Sequence, residues 1–555
     1  MSALFRSGAI GALILTLALS QETSAQQRGH DRADHGGGGT EARVPLYPDL
    51  GSHHHPITTV SPVAQAYFDQ GLRLQYAFNH PEAIRSYRAA LEEDPSCAMC
   101  WWGIALAAGH NINQPLTGEA NQEAYHAAKV AQAMSAGVSP LERELIEAIG
   151  ERYSRDPSRD RATLDAAYAR AMGDVLVRHP DNADVRTLRA AALMNLSPWN
   201  YWEGPFRDRK PRRGTEEILT LLERTVEAAP EHPGACHYFI HLVEAALPER
   251  AVGCAERLAA LMPGAGHLVH MPGHIYIRVG RYADAVRQNE HAVHSDERMI
   301  PDIGMQTVYT GGYYPHNYHF MAFAATMAGM SEKALGAARL VSTRIPDEIA
   351  RDTYWIQNAV VFPQLTLLTF GRWREVLLQP APSPVLEQAT VMHRYAQGVA
   401  HAALGDVAAA HEIMEALRAE ARPHEGAMAQ NPVPHIAWRV LAGEIDMRSG
   451  RPGDAVAHLE AAAAIEDQLL YDEPPLWYRP VRQVLGRAYQ EAGRAADAER
   501  AYREDLDKFR ENGWSLRGLA SSLKAQGRDR EAREVEERFR AAWAGADVQL
   551  RGSSF

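Results

Sequence analysis

Glu82-Ala83-Ile84-Arg85-Ser86-Tyr87-Arg88-Ala89-Ala90-Leu91-Glu92-Glu93-Asp94-Pro95 decides the fold. Its apolar residues recur at the spacing of one helix face, and Asp94-Pro95 closes the helix. Small Ala83 and Ala90 let a neighbouring helix approach closely. A second helix follows at once, Ala98-Met99-Cys100-Trp101-Trp102-Gly103-Ile104-Ala105. Beyond it the pattern stays helical almost to the end, with a period of about 34 residues. A glycine followed five residues later by alanine recurs as Gly280 with Ala285, Gly329 with Ala334 and Gly405 with Ala410. It returns as Gly450 with Ala455, Gly493 with Ala498 and Gly527 with Ala532. Glycine permits a tight turn between antiparallel helices, and alanine suits the point where two helices cross.

On these residues the chain resembles the tetratricopeptide repeat family, whose first helix carries Trp at repeat position 4 and a small residue at position 8. The resemblance covers most of the chain after about Ser61 and weakens between Gln114 and Met194. It looks like an exported bacterial member. The fold it implies is all-α, a right-handed α-solenoid of helix-turn-helix repeats with a concave groove lined by the first helix of each. The expected organisation is a signal peptide over 1–25, a flexible tether over 26–47 and N-terminal repeats over 48–113. A helical region with weaker repeats follows over 114–214, then histidine-rich central repeats over 215–345 and C-terminal repeats over 346–555.

With 46% hydrophobic residues the chain can bury a large core, but 555 residues exceed what one compact core usually supports, and a repeat array resolves this. Arg6, the apolar run Ala9 to Leu19 and Thr23-Ser24-Ala25 have the layout of a secretory signal, with cleavage expected near Ala25. A periplasmic or secreted location follows, and no later stretch is apolar enough to span a bilayer. The net charge of -12 gives no footprint for nucleic acid or anionic lipid. Arg207 to Arg213 is a local exception that could grip an anion or be a solvated loop. Cys97, Cys100, Cys236 and Cys254 are too few to carry the stability. Cys97 and Cys100 could form a redox or a structural pair, and Cys236 with Cys254 could form another.

The histidines cluster. His232, His237, His241, His267, His270, His274, His291, His294, His316 and His319 fall within one hundred residues. The spacing of His237, His241 and Glu244 puts them on one helix face, and so does that of His267, His270 and His274, where Pro272 could kink the helix slightly. In the repeat frame set by Gly280 and Ala285, His267, His270 and His274 take positions 2, 5 and 9, which in the family face the groove. His316 and His319 take positions 2 and 5 of the next unit, and His237 and His241 positions 5 and 9 of the preceding one. His291 and His294 lie on a second helix, outside the set.

Neutral imidazole is the commonest ligand of borderline transition metals, and a pair at i and i+4 can chelate one ion. His237, His241, His267, His270, His274, His316 and His319 are therefore candidate ligands of copper, iron or zinc. Glu244, the candidate catalytic residue, could be a ligand, an orienter of ligands or a base. The bland alternative is that these histidines bond one another, tyrosines and a bound peptide. No H-E-x-x-H, phosphate cradle, nucleophile elbow or dinucleotide fingerprint is present.

Aromatic connections at Ser197 to Gly214 and Met299 to Pro315 could be lids over the groove or surface linkers. Tyr471-Asp472-Glu473-Pro474-Pro475-Leu476-Trp477-Tyr478 could close the groove or cap helices, and His53-His54-His55 and His110 could reach the groove end. Two functions are expected of such a chain. One is an exported module that binds a peptide or protein partner in its groove, with room for a bound transition metal; the other is a metal-dependent enzyme, an oxidoreductase or hydrolase acting on a small-molecule substrate there.

Overall fold

The structure is a computed structural model and describes residues 44–156, 158–303, 309–345, 350–351, 356–421 and 431–555. The expected signal peptide and nearly all of the tether lie outside these residues. The rest is almost wholly helical, in two compact units, one over residues 44–198 and one over Trp199–Phe555.

The first unit contains α1 (Pro62–Tyr76), α2 (His80–Glu93), α3 (Ala98–Ala107), α4 (Gly118–Met134), α5 (Pro140–Gly150), α6 (Arg161–Arg178) and α7 (Ala183–Met194). Ser61 starts α1 by accepting the Ala64 N–H, with Pro62 preset for the first turn. Sequential helices pack against one another from α1 to α7. The quoted stretch is α2, and Tyr87 shows why its pattern matters. The ring is fully buried between Gly71 of α1 and Gly103 of α3, where a Cβ on either glycine would meet it at 2.5 Å. Small residues on both first helices thus seat one aromatic from the helix between them.

The second unit begins with a small antiparallel hairpin of β1 (Trp202–Glu203) and β2 (Lys210–Pro211). There follow α8 (Thr215–Ala228), α9 (Pro233–Val243), α10 (Val252–Leu261), α11 (Gly266–His270), α12 (Pro272–Arg278), α13 (Tyr282–Ile303), α14 (Tyr314–Met327) and α15 (Ser331–Ser342). Hairpins continue to Asp529–Ala542. The six turn glycines noted in the sequence, Gly280, Gly329, Gly405, Gly450, Gly493 and Gly527, all have positive φ, between 72° and 90°. The chain is an all-α solenoid of tetratricopeptide-type hairpins.

Two connections differ from the sequence reading. Much of Met299 to Pro315 is helix: α13 runs through Pro301 to Ile303, and a π-helical turn, Tyr309–Tyr313, leads into α14. Pro315 sits in the first turn of α14, where its missing N–H costs nothing, and the wide turn absorbs Gly311 and Gly312. Ser197 to Gly214 is packed rather than loose. Trp202 Nε1 donates to Leu242 O at 2.6 Å and Arg209 to Ala245 O at 2.6 Å, which ties the hairpin to the end of α9. Within the basic stretch Arg207 pairs with Asp507 at 3.0 Å and Arg212 with Glu203 at 3.6 Å.

The last residues fold back onto the C-terminal hairpins. Ser553 is fully buried, bonded to Tyr502 at 2.7 Å and to Gln483 O at 2.8 Å, while Arg487 donates to Phe555 O at 2.9 Å. Gln483 and Arg487 flank Gly486 as His270 and His274 flank Gly273, so this segment occupies the corresponding face of its hairpin.

Candidate metal centre

The site is built on the first helices of three consecutive hairpins, α9, α11–α12 and α14, which touch through α9 with α12 and α11 with α14. His232 caps α9 by accepting the Ala235 N–H at 3.1 Å, and Pro233 follows in the first turn. Pro272 lacks an N–H and separates α11 from α12, but Met271 between them keeps helical angles (φ -52°, ψ -36°). His267, His270 and His274 therefore stay on one continuous face.

Six of the seven candidate histidines gather into two groups of three. The donor nitrogens of His237, His241 and His267 lie within 4.8 Å of one another, and so do those of His270, His274 and His316. The groups are neighbours, with ring centroids of His241 and His274 5.6 Å apart and of His267 and His270 5.9 Å apart. Two imidazole nitrogens bound to one tetrahedral ion at ~2.0–2.1 Å stand about 3.3 Å apart. His237 Nε2 and His267 Nε2 are 3.1 Å apart, and His270 Nε2 and His274 Nε2 2.8 Å apart. The rings are thus already at chelating range. His319 joins neither group; its ring lies edge-on to Phe362 at 5.0 Å and 6.3 Å from His316.

The opposite ring nitrogens are held by the protein. Asn289 Oδ1 on α13 accepts from His270 Nδ1 at 2.6 Å, and Gly273 leaves room for that amide, which lies 2.8 Å from where a Cβ would stand. Fully buried Glu244 serves both groups at once. Its Oε1 accepts from His241 Nδ1 at 3.1 Å and its Oε2 from His274 Nδ1 at 2.5 Å. Both Glu244 oxygens are spent on imidazole nitrogens, as an orienter's would be, and His274 keeps its Nε2 beside His270; Glu244, His274 and Glu473 also lie close enough together to hold an ion themselves. Glu473 Oε2 lies 2.9 Å from the same His274 nitrogen, carried there by the Tyr471 to Tyr478 loop. That loop closes against the site, held also by Arg278 at 3.8 Å from Glu473 and by Asn358 donating to Leu476 O at 2.8 Å.

Burial lowers the basicity of His241, His267, His270 and His316 well below the ordinary histidine value, and neighbouring histidines lower it further. Burial pushes His319 down to about 4. These rings are neutral at pH 7, the form that ligates metal. His274 is the exception: burial acts downward, but the Glu244 and Glu473 carboxylates outweigh it and hold the ring at about 10. Burial raises Glu473 itself to about 7.

The walls are aromatic. Phe320 packs on His274 at 4.4 Å, His270 at 4.7 Å and His316 at 5.0 Å, Tyr313 on His267 at 4.3 Å and Trp199 on His241 at 5.1 Å. Trp199 has φ +62°, a left-handed conformation costly for so large a residue. His316 and His319 are the partly exposed members of the candidate set. His291 and His294, on α13, join no group. His53 and His55 bond Asp184, His54 bonds Asp69, and His110 faces Asp165, all within the first unit. Asn289, Phe320 and Glu473 were not singled out in the sequence; the fixed acidic-aromatic loop was the one signal pointing to Glu473.

Disulfides join Cys97 to Cys100 and Cys236 to Cys254, the second tying α9 to α10 behind the histidine face. Among the described residues no helix is long and apolar enough to cross a membrane.

No protein-family model and no curated protein matches the chain. Solved structures with similar helical arrays include the Cut9–Hcn1 hetero-tetramer of the APC/C, with 13% identity over 87% of this chain and 74% of that one and a TM-score of 0.28. The human IFIT1 dimer with m7Gppp-AAAA gives 13% identity over 87% and 90%, with a TM-score of 0.29. Yeast Tom70 gives 12% over 87% and 91%, with a TM-score of 0.26. Likeness at this level says nothing of what the present chain binds.

Proposed function

We propose that this chain is a metal-dependent oxidoreductase that holds two transition-metal ions side by side, one on His237, His241 and His267 and one on His270, His274 and His316. The observation that carries the reading is Glu244. One buried carboxylate accepts from the far nitrogen of a histidine in each group, which is the outer-shell arrangement that orients imidazole ligands. A buried imidazole N–H needs an acceptor in any role, but one carboxylate shared between the two groups fixes a ring of each against the other. Three protein donors per ion also leave coordination positions for a substrate, the mark of a catalytic rather than a structural site.

The donor set favours copper. Imidazole suits copper, zinc, iron and nickel, and among divalent ions copper binds such sites most tightly. Export to the periplasm is part of the proposal, supported by the signal-like N-terminus and by two disulfides, which persist in oxidising compartments. Binding of a peptide or protein partner, the usual employment of these hairpins, is the second reading. Against it, residues 550–555 cover the matching face of the C-terminal hairpins.

The test is the metal count of two variants. His241→Ala and His316→Ala should each retain one ion per chain where the unaltered protein holds two, with helical circular dichroism unchanged. Retention of two ions by both variants, or of none by the unaltered protein, refutes the assignment.

A further inference from the structure

We propose that the cavity between the β1–β2 turn and the ends of two C-terminal helices binds a small molecule carrying a primary ammonium on an apolar chain. The proposal stands apart from the metal reading. The space is about 380 Å³, within the ~300–1,000 Å³ of small-molecule sites, and it lies wholly in the second unit. Pro205 and Phe206 from the turn and Phe509 form its apolar walls. Arg278 at 5.0 Å and Arg209 at 5.8 Å pack on the Phe206 ring and hold it in place.

The charges inside are unequally committed. The lining carries four carboxylates against three cations. Arg482 is fully engaged, with Nη1 and Nη2 each on Asp467 at 2.7 Å and Nε on Glu504 at 3.0 Å. Arg207 lies on Asp507 at 3.0 Å. Lys508 sets its ammonium over the Phe509 ring at 5.3 Å and forms no ion pair with Glu466.

Glu466 is the carboxylate left over. It is 3% exposed, and the Val481 N–H donates to its Oε2 at 3.0 Å, while no protein group among the described residues bonds Oε1. Asp505, 2% exposed, accepts from Ser515 Oγ at 2.6 Å and Asn512 Nδ2 at 3.1 Å and adds negative potential nearby. Burial raises Glu466 to about 7, with Asp505 acting the same way and Lys508 and Arg482 against it. A buried carboxylate without a cation beside it is unfavourable, and a cation placed there removes the penalty. The helices Pro452–Glu466 and Ala495–Lys508 both end at this cavity, and helix C-termini favour positive charge.

An organic cation fits better than a metal ion. Among the described residues, Glu466 and Asp505 belong to no group of three donors close enough together to hold an ion. An ammonium needs only the one open oxygen and leaves its chain for the apolar walls.

The experiment titrates the full chain with pentylamine by calorimetry, with pentanoate as a probe of the same length and opposite charge. The expected result is saturable binding of one amine per chain and none of pentanoate. Glu466→Gln keeps an oxygen for the Val481 N–H and loses only the charge, so helical circular dichroism should be unchanged while affinity for pentylamine falls about 10-fold or more. Lys508→Met removes the opposing charge and should tighten binding several-fold. No binding of pentylamine, or unchanged affinity in Glu466→Gln, overturns the proposal. Equal or tighter binding of pentanoate also overturns it and assigns the cavity to an anion. Should Glu466→Gln fail to fold, Lys508→Met decides, and affinity that is unchanged or weaker there overturns the proposal.

Discussion

Replacing Glu244 by glutamine is the most informative single perturbation. The carboxylate accepts from His241 Nδ1 at 3.1 Å and from His274 Nδ1 at 2.5 Å. The two rings bond different oxygens, and an amide in the same position replaces one of those oxygens by an NH2 that cannot accept. The ring that meets the NH2 must then shift its proton to Nε2, the nitrogen needed for the metal. Loss of an outer-shell partner weakens metal affinity by about 10–100-fold, or roughly 1.4–2.7 kcal/mol. The ion beside the ring that meets the NH2 should bind more weakly by that amount, and the other, whose ring keeps a neutral acceptor in place of a carboxylate, less so, while two are still bound at saturation. Competition against a chelator of known affinity measures this, with circular dichroism reporting that the helices persist. Complete loss of one ion with the other unaffected would mean that Glu244 is a ligand. Unchanged affinity at both positions would refute its role altogether.

Four further outcomes follow from the structure. Gly103→Ala drives a methyl into the buried Tyr87 ring and should cost about 1–3 kcal/mol in denaturant unfolding; a neutral result contradicts the packing described for the quoted stretch. Trp199→Gly relieves a positive φ but removes the ring on His241, so stability should stay within about 1 kcal/mol while a chelator strips metal faster; unchanged stripping rates would show that Trp199 shields nothing. Reducing Cys236–Cys254, whose partners are 18 residues apart, should lower stability by about 3 kcal/mol, read as a shift in the unfolding midpoint of a Cys236→Ser, Cys254→Ser variant. Burial, with Arg152 nearby, holds His80 and His110 at about 4, so the native state keeps them neutral while the unfolded chain protonates them near 6.5. Their contribution is intact above that pH and falls by up to roughly 3 kcal/mol each as pH drops toward 4. Burial works against His55, but Asp184 raises it overall, so it acts with the opposite sign. Melting curves from pH 7.5 to 4.5 should therefore lose part of their slope in a His80→Gln, His110→Gln variant.

How far the sequence reached depends on whether a feature is local. The turn glycines were legible because a left-handed turn residue and a helix-crossing alanine recur at a fixed offset, and each reports on its own hairpin. The histidine register was legible for the same reason: the frame from Gly280 and Ala285 put His267, His270 and His274 on one face, and Pro272 did not break it. His319 shares that register with His316, yet the side of α14 it occupies faces Phe362 rather than the other imidazoles. Asn289 lies on a second helix and reaches His270 only because Gly273 opens the space, a contact no periodicity encodes. Glu473 is 199 residues beyond His274 in sequence and arrives by way of the far hairpins. The division into two neighbouring triads, rather than one cluster, is a matter of ångströms and was not visible in spacing. Met299 to Pro315 misled because proline and glycine mark turns in most contexts, whereas here Pro301 is tolerated inside α13 and Pro315 starts α14.

The most direct test of the central claim is the metal content of the unaltered chain, prepared without a histidine tag, loaded with copper and dialysed against a weak chelator before elemental analysis. Two coppers per chain is the predicted result, one for each histidine triad. A chain that retains no metal under these conditions contradicts the account and returns the buried histidines to a purely structural role.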